Sequence, residues 1–534
     1  MAFRGLGGVA GLFRPSNLSV LWRAGVVDPR QTVSFVATTP WLAGRGPSLG
    51  IPSRINARSL GAKPAIHDRH GALTWRELDA RANRLARALQ GTGLRPGDPV
   101  ATVLRNGREI VEVLLAAQKA GLAFVPLNTW SSEPELAATL AGSRPRVVVA
   151  DPRHAGQAGR AVPEDVPVVV TGPDPGAPSS YETMLAVQSS RPLFPVGRRG
   201  ARIVVHTSGT TARPKGATRD AGAQSPQGLI RLLEVIPLHR RDVILCPAPL
   251  FHSFGLLVLT LGTLVGATFV LPDRFDPRES LGLISRHGVT AVAAVPVMLH
   301  RMAAVPGDEG GGPVRIVLSG GSALGPDLRR RVTERFGPVI YDLYGTTEAG
   351  WVAVATPQDV TNHPGSVGRP IPGVEVSIVG PDGRPVTPGR SGQIVVGGDG
   401  VFEGYLDDPA RGPVATGDLG RLDDDGQLWV EGRTDDLIVV GGENVRPAEI
   451  EEVIAGVEGV DEVAVGAVPD PEYGHVPVAF VVGSASDDRI RAACRAALAS
   501  FKVPRRIVRR DELPRTATGK VLVRALVGGI EQKE

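Results

Sequence analysis

A chain of 534 residues, 42% hydrophobic and 21% charged, has the length for two or more domains with sizeable cores and the composition of a globular protein. Its net charge of +4 is too small to indicate a nucleic-acid partner, and no apolar run reaches the roughly 18 residues that a spanning helix needs. Cys246 and Cys494 are its only cysteines, far apart and with no CxxC pair, which excludes a disulfide framework or a zinc site and fits a reducing cytoplasm.

The chain opens with a basic arm. Residues 1–60 hold seven arginines and one acid, Asp28, so this stretch carries +6 and the remainder −2. Around residues 1–22, Phe3, Leu6, Leu12, Phe13, Leu18, Val20, Leu21 and Trp22 are mixed with arginine. Three readings fit: a peripheral contact with an anionic membrane surface, an arginine-bearing targeting peptide, or an arm packed on the main domain.

A helix opens after Thr74, which forms a capping box with Glu77; Leu78, Ala82, Leu85 and Leu89 make its apolar stripe, and Gly91 and Gly93 end it. A second helix spans 109–120 and stops at Gly121. Short apolar runs then alternate with helical patterns, at 147–150, 168–170, 203–205, 243–245, 268–271, 291–295, 315–318 and 339–341. That alternation predicts parallel α/β sheets. From about Gly365, Gly/Pro/Asp turns separate short alternating strands such as 374–379 and 393–396, the texture of a small β-rich subdomain. After the segment 432–436, GRTDD, the last hundred or so residues read as a separate unit with helices at 447–455 and 489–499 and strands at 463–468 and 476–482.

Several segments carry chemistry. Residues 206–216, HTSGTTARPKG, follow a strand with a row of hydroxyls and glycines and end near Lys215. Glycines let backbone approach a ligand, clustered N–H groups form an anion nest, and a lysine adds a point charge, so the natural ligand is a polyphosphate. The order of Gly and Lys is wrong for a GxxxxGK[ST] loop. The chain has only six lysines against 53 arginines, so lysines at 215 and 520, both in glycine/hydroxyl settings, mark places that need a compact charge. Residues 318–323, LSGGSA, follow a strand with small side chains that admit a flat ring. Residues 341–350, YDLYGTTEAG, follow another with an aromatic face for a base and a hard carboxylate for a hard cation. Asp418 lies in a turn-rich stretch, with Arg433 fifteen residues on. Residues 249–255, PLFHSFG, hold His252; residues 441–450 read GGENVRPAEI; residues 514–520 read PRTATGK.

In this order the segments resemble the signatures of the adenylate-forming enzymes: acyl-CoA synthetases, luciferase-like enzymes and peptide-synthetase adenylation domains. The resemblance runs over roughly residues 55–530. It implies an α/β fold: a basic arm (1–54), a large domain (55–433) of two parallel α/β subdomains plus a small β-barrel-like one, and a mobile α+β C-terminal domain (434–534) hinged at Asp435. It further implies ATP contacts from Thr207, Ser208, Gly209, Thr210, Thr211, Lys215, Ser322, Gly345 and Thr346. Tyr344 stacks on adenine with Asp342 near its amino group. Thr347 meets phosphate and Glu348 holds Mg2+. Asp418 takes the ribose hydroxyls, and Arg433 the ribose and phosphate. Lys520 meets the α-phosphate and the carboxylate, with Glu348, His252 and Thr207 beside it in the catalytic set. His252, Gly255, Gly320 and Gly321 border the acyl pocket, and Gly441, Gly442 and Glu443 belong to the loop that serves the CoA thioester step. Two departures from the family pattern are Ala212, where glycine is usual, and the short approach 411–415, which lacks an aromatic residue; both bear on ATP affinity.

The implied activity is ATP- and CoA-dependent ligation of a carboxylic acid through an acyl-adenylate. The stretch 249–255 has no Asp to pair with a substrate ammonium, which favours a plain acid over an amino acid. Gly255, Leu256, Leu257, Gly320, Gly321 and Gly345 predict a roomy apolar pocket, hence a fatty acid. The alternatives are an aryl acid, an acyl-AMP ligase without CoA, and, outside enzymes, a membrane-associated acyl carrier.

Overall fold

The computed structural model describes residues 15–26, 48–172, 180–193, 202–207, 215–220, 226–307, 312–346, 349–398, 412–434, 437–440, 443–470, 473–516 and 519–531. The elements form where capping and periodicity place them. Thr74 accepts from the Glu77 backbone while the Glu77 carboxylate accepts from the Thr74 backbone, and the helix runs Trp75–Gly91. The helix Arg108–Ala120 ends at Gly121 in the left-handed conformation, φ 75°.

Two large sheets carry the N-terminal part. The nine-stranded one runs, edge to edge, Arg369–Pro370, Gly350–Ala355, Ile340–Thr346, Ile316–Gly320, Ala291–Ala293, Val243–Leu245, Thr268–Val270, Pro64–Asp68, Gly71–Thr74. Its interior pairs are parallel and its outer pairs antiparallel. The six-stranded one runs Val168–Val170, Val147–Ala150, Pro99–Val103, Ala123–Pro126, Arg202–Thr207, Lys215–Asp220, parallel except for the last pair. One continuous core includes Trp75, Phe124, Phe269 and Leu299. The central strands are apolar on both faces, as strands covered by helices on each side must be. Val374–Val379, Gly392–Gly398, Val414–Leu422 and Leu428–Arg433 then form an antiparallel four-stranded sheet.

The C-terminal unit has its own core around Val445, Ile450, Val478, Phe480 and Ile490. Its centre is the hairpin of Val460–Asp470 with Gly474–Gly483, on which Arg506–Arg509 pairs in parallel.

The described part of the N-terminal arm is the helix Pro15–Arg23. Val20, Leu21 and Ala24 are buried in the main core, the helix packs against Pro226–Val235, and Arg240 N–H donates to the Ala24 carbonyl at 3.0 Å. Of the three readings of the arm, this part takes the packed one, with Leu18 and Trp22 exposed on its outer side. Among the described residues no helix is long and apolar enough to cross a membrane.

Candidate active site

Three of the residues expected to meet ATP come together across two sheets. Asp418 and Arg433 are register partners in the four-stranded sheet, and Tyr344 sits near the end of Ile340–Thr346. The Tyr344 hydroxyl donates to Asp418 Oδ2 at 2.7 Å. Arg433 Nη1 donates to Asp418 Oδ1 at 3.0 Å and to the Thr416 carbonyl at 3.0 Å. Gly417, φ +76°, leaves the space that the guanidinium fills: a Cβ there would lie 2.8 Å from Arg433 Nη2. Burial and then the charge of Asp418 push the Tyr344 phenol pKa up, so it stays a donor. The result is a fixed aromatic face, a carboxylate with lone pairs to spare and a cation, the donor set that a nucleoside phosphate needs.

Asp342, expected near the adenine amino group, is held in a buried ion pair. Its carboxylate is buried and accepts from Arg329 Nη2 at 2.8 Å, and the same guanidinium nitrogen donates to the Ser366 carbonyl at 2.9 Å. Burial raises the Asp342 pKa while Arg329 opposes the rise. Arg329 escaped the sequence reading because DLRRRVTERF reads as a solvated helix. Gly345 makes a close backbone approach, since a Cβ would stand 2.2 Å from the Gly350 carbonyl oxygen; Thr346 Oγ1 accepts from Ala349 N–H at 2.9 Å and shapes the turn that follows.

Thr207 and Lys215 are the last register partners of the hairpin Arg202–Thr207/Lys215–Asp220. Ser208, Gly209, Thr210, Thr211 and Ala212 lie outside the described residues, as do Thr347, Glu348, Asp435, Gly441, Gly442 and Arg411; the rest of the approach, 412–415, leads into the strand Val414–Leu422. Glu443 begins the strand Glu443–Val445. Ser322 is half-buried just after Gly321 at the end of Ile316–Gly320.

At the glycines expected to border the acyl pocket, the space a side chain would take is mostly occupied. A Cβ on Gly255 would lie 2.4 Å from the Pro249 carbonyl oxygen, and one on Gly320 would lie 2.9 Å from Phe254 Cδ2. Leu256 and Leu257 are buried in the core. These glycines are small because neighbours press on them, so at 255, 320 and 345 the missing side chain is not itself a sign of room for an acyl chain. Gly321 is the open one: φ +91°, exposed, with Val295 Cγ1 the nearest atom at 3.7 Å. The Phe254 ring meets Trp351 edge to face at 6.2 Å between centroids. His252 precedes the helix Ser253–Val265, its ring 4.5 Å from that of Phe251. His252 Nε2 and Trp351 Nε1 are both shut off from solvent with no hydrogen-bond partner among the described residues. Burial lowers the His252 pKa to about 4, so the ring is neutral at pH 7.

Lys520 sits on a tight turn closed by the Arg515/Val521 bridge. Gly519, φ +84°, touches the large domain, where its missing Cβ would lie 2.6 Å from Val297 Cγ1 and 3.8 Å from Val295 Cγ2. Val295 is also the neighbour of Gly321. The turn carrying Lys520 is therefore brought to the same edge of the nine-stranded sheet as Gly321.

Residues 54–406 match the model of the AMP-binding enzymes, and residues 449–520 that of the AMP-binding enzyme C-terminal domain. The chain is 37% identical over 490 residues to a feruloyl-CoA synthase of an Amycolatopsis species, covering 89% of this chain and 97% of the relative. A long-chain-fatty-acid–CoA ligase of Mycobacterium tuberculosis is 31% identical over 84% of this chain and 92% of its own. Among solved structures, an anthranilate CoA ligase in complex with anthranoyl-AMP superposes with a TM-score of 0.84 at 27% identity, covering 92% of this chain and 98% of that one.

Proposed function

Because the chain belongs to the adenylate-forming AMP-binding enzymes and is an ATP-dependent, AMP-forming acid–CoA ligase, we propose that its acid is an aromatic carboxylate. The observation that carries this reading is the Phe254–Trp351 pair closing the space beside Gly320, with Trp351 Nε1 and His252 Nε2 both without a partner among the described residues. A buried indole N–H and a neutral imidazole nitrogen each cost free energy until a polar group meets them. A ring bearing a hydroxyl or similar substituent does so and stacks against the aromatic wall; an alkyl chain does not. The feruloyl-CoA and anthranilate relatives support the same class. A fatty acid is the second reading, supported by the mycobacterial relative.

In the proposed sequence the carboxylate oxygen attacks the α-phosphorus of ATP, the bond from that phosphorus to the α–β bridging oxygen breaks, and the β- and γ-phosphates leave as pyrophosphate. Tyr344, Asp418 and Arg433 hold the nucleoside. Lys520 stabilises the charge that builds between carboxylate and α-phosphate. Glu348 would hold Mg2+, whose charge would offset that of the phosphates. The C-terminal unit then turns about Asp435 and brings the 441–443 loop to the site. The thiol of CoA attacks the acyl carbon of the mixed anhydride, loses its proton, and AMP departs.

The test is pyrophosphate release from ferulate, indole-3-acetate, anthranilate, palmitate and acetate, each with and without CoA. The expected result is a kcat/KM for at least one aromatic acid about tenfold or more above that for palmitate. A preference for palmitate overturns the aromatic reading.

A further inference from the structure

The side chain of Lys520 is exposed, so what the fold fixes is the backbone from which it starts. That backbone is clamped on both sides of one peptide group. The Lys520 N–H donates to Thr516 Oγ1 at 3.1 Å. The Gly519 carbonyl, on the other side of the same peptide plane, accepts from Arg515 Nη1 at 2.7 Å. Two further bonds close the turn, from Thr516 N–H to the Lys520 carbonyl at 2.7 Å and from Gly519 N–H to the Thr516 carbonyl at 2.8 Å.

The Arg515 guanidinium is itself anchored. Its second nitrogen, Nη2, donates to Glu462 Oε2 at 2.7 Å, and both side chains are only about a quarter exposed. Glu462 pairs with Val482 in the long hairpin at the centre of the C-terminal core. A rigid strand thus holds a carboxylate, which holds a forked cation, which holds the carbonyl next to Lys520. The fork matters, because it reaches two acceptors in fixed directions where an ammonium is a point charge. The same pair faces the large domain: His300, on the helix Pro296–Ala303, is within electrostatic range of Arg515, Glu462 and Asp461.

We propose that Arg515 and Glu462 are positioning residues for Lys520, fixing the 519–520 peptide so that the lysine enters the adenylation site. The inference rests on the ligase reading for its consequence and on the turn geometry alone for its structure. It predicts a loss confined to the first half-reaction, since the lysine has no task once the adenylate exists.

The experiment uses the full-length chain with Arg515→Ala and Glu462→Gln, and two readouts. In hydrogen exchange, the peptide spanning 516–521 should exchange about tenfold faster in both variants, with the strands Val460–Asp470 and Gly474–Gly483 unchanged. With the acid that the wild type prefers, Arg515→Ala should lower adenylation about a hundredfold while thioester formation from supplied acyl-adenylate stays within about threefold. Glu462→Gln, which keeps an acceptor, should fall in the same direction by less. Unchanged exchange in the turn, or equal loss of both half-reactions with the hairpin strands intact, overturns the proposal. If the wild type activates no acid, the ligase reading fails and the exchange data alone decide the clamp.

Discussion

Gly519→Ala tests whether the lysine turn must dock on the large domain. Two costs can be separated. At φ +84° an L-residue is strained by roughly 1–2 kcal/mol, and this strain belongs to the turn wherever the C-terminal unit stands. The second cost arises only when the turn is docked. The new Cβ would stand 2.6 Å from Val297 Cγ1, so the turn must retreat by about 1 Å, a displacement that can cost about a hundredfold in rate, or about 2.7 kcal/mol. Val297→Ala removes that contact: the next atom, Val297 Cβ, would lie 3.5 Å away, an ordinary distance. The expected pattern is a fall of about a hundredfold in adenylation for Gly519→Ala, a small effect for Val297→Ala, and a double variant restored to within about tenfold of Val297→Ala, a coupling of at least about 1.4 kcal/mol. Pyrophosphate release measures the first half-reaction, and thioester yield from supplied acyl-adenylate should stay near wild type throughout. Normal adenylation by Gly519→Ala, or a double variant no better than the single one, would show that the docking of Gly519 on Val297 plays no part in adenylation.

Tyr344→Phe keeps the ring and loses one hydrogen bond to Asp418, so KM for ATP should rise about fivefold, whereas Asp418→Ala takes a partner from both Tyr344 and Arg433 and removes the ribose acceptor, and should raise it about a hundredfold or more; an ordinary KM in Asp418→Ala would remove these residues from the nucleotide site. Deleting residues 1–26 exposes the surface that Val20, Leu21 and Ala24 cover and should cost about 3 kcal/mol or more, read as a lower urea midpoint. An unchanged midpoint with weaker pelleting on anionic vesicles would instead favour the membrane reading of the arm. His252 titrates near 4 in the fold and near 6.5 in the unfolded chain, so the unfolded chain takes up its proton first. The stability tied to a neutral His252 is complete above about pH 6.5 and declines by about 1–3 kcal/mol as pH falls toward 4. His252→Gln should flatten that acid limb in urea melts, and a curve parallel to wild type would show that the ring is not held neutral.

What was legible in the chain depended on local signals. The Thr74/Glu77 box and the Gly121 stop are complete within a few residues and stand where periodicity put them. The strand Lys215–Asp220 has no apolar run, because KGATRD pairs through its backbone at a sheet edge, and so nothing in its composition announced it. The partition of similar apolar runs into a nine-stranded and a six-stranded sheet depends on pairings far apart in sequence, such as Ile66 with Phe269. Within the site, Tyr344, Asp418 and Arg433 were grouped only by resemblance, and Arg329 on Asp342 by nothing at all. Arg515 and Glu462, 53 positions apart, each look like ordinary surface charges until the hairpin brings them together.

Glycine shows why the site was harder to read than the fold. A glycine can be kept because a ligand needs the space of a side chain, or because another part of the protein already occupies it. The two uses look alike in sequence and opposite in structure. At Gly255 a carbonyl, at Gly320 the Phe254 ring and at Gly345 the Gly350 backbone take the space. Reading all of them as room led toward a long alkyl chain; reading them as contacts leads to an aromatic wall. Gly321 is the exception, and its position has a consequence. Its open side faces Val295, and the turn that carries Lys520 reaches the same valine through Gly519. On the proposed reading, an acid against the Phe254–Trp351 wall would meet an ATP held by Tyr344, Asp418 and Arg433 near the strand end at Gly320. That reading would have the carboxylate, the α-phosphate and the lysine converge beside the open glycine, where Gly321 and Gly519 share Val295.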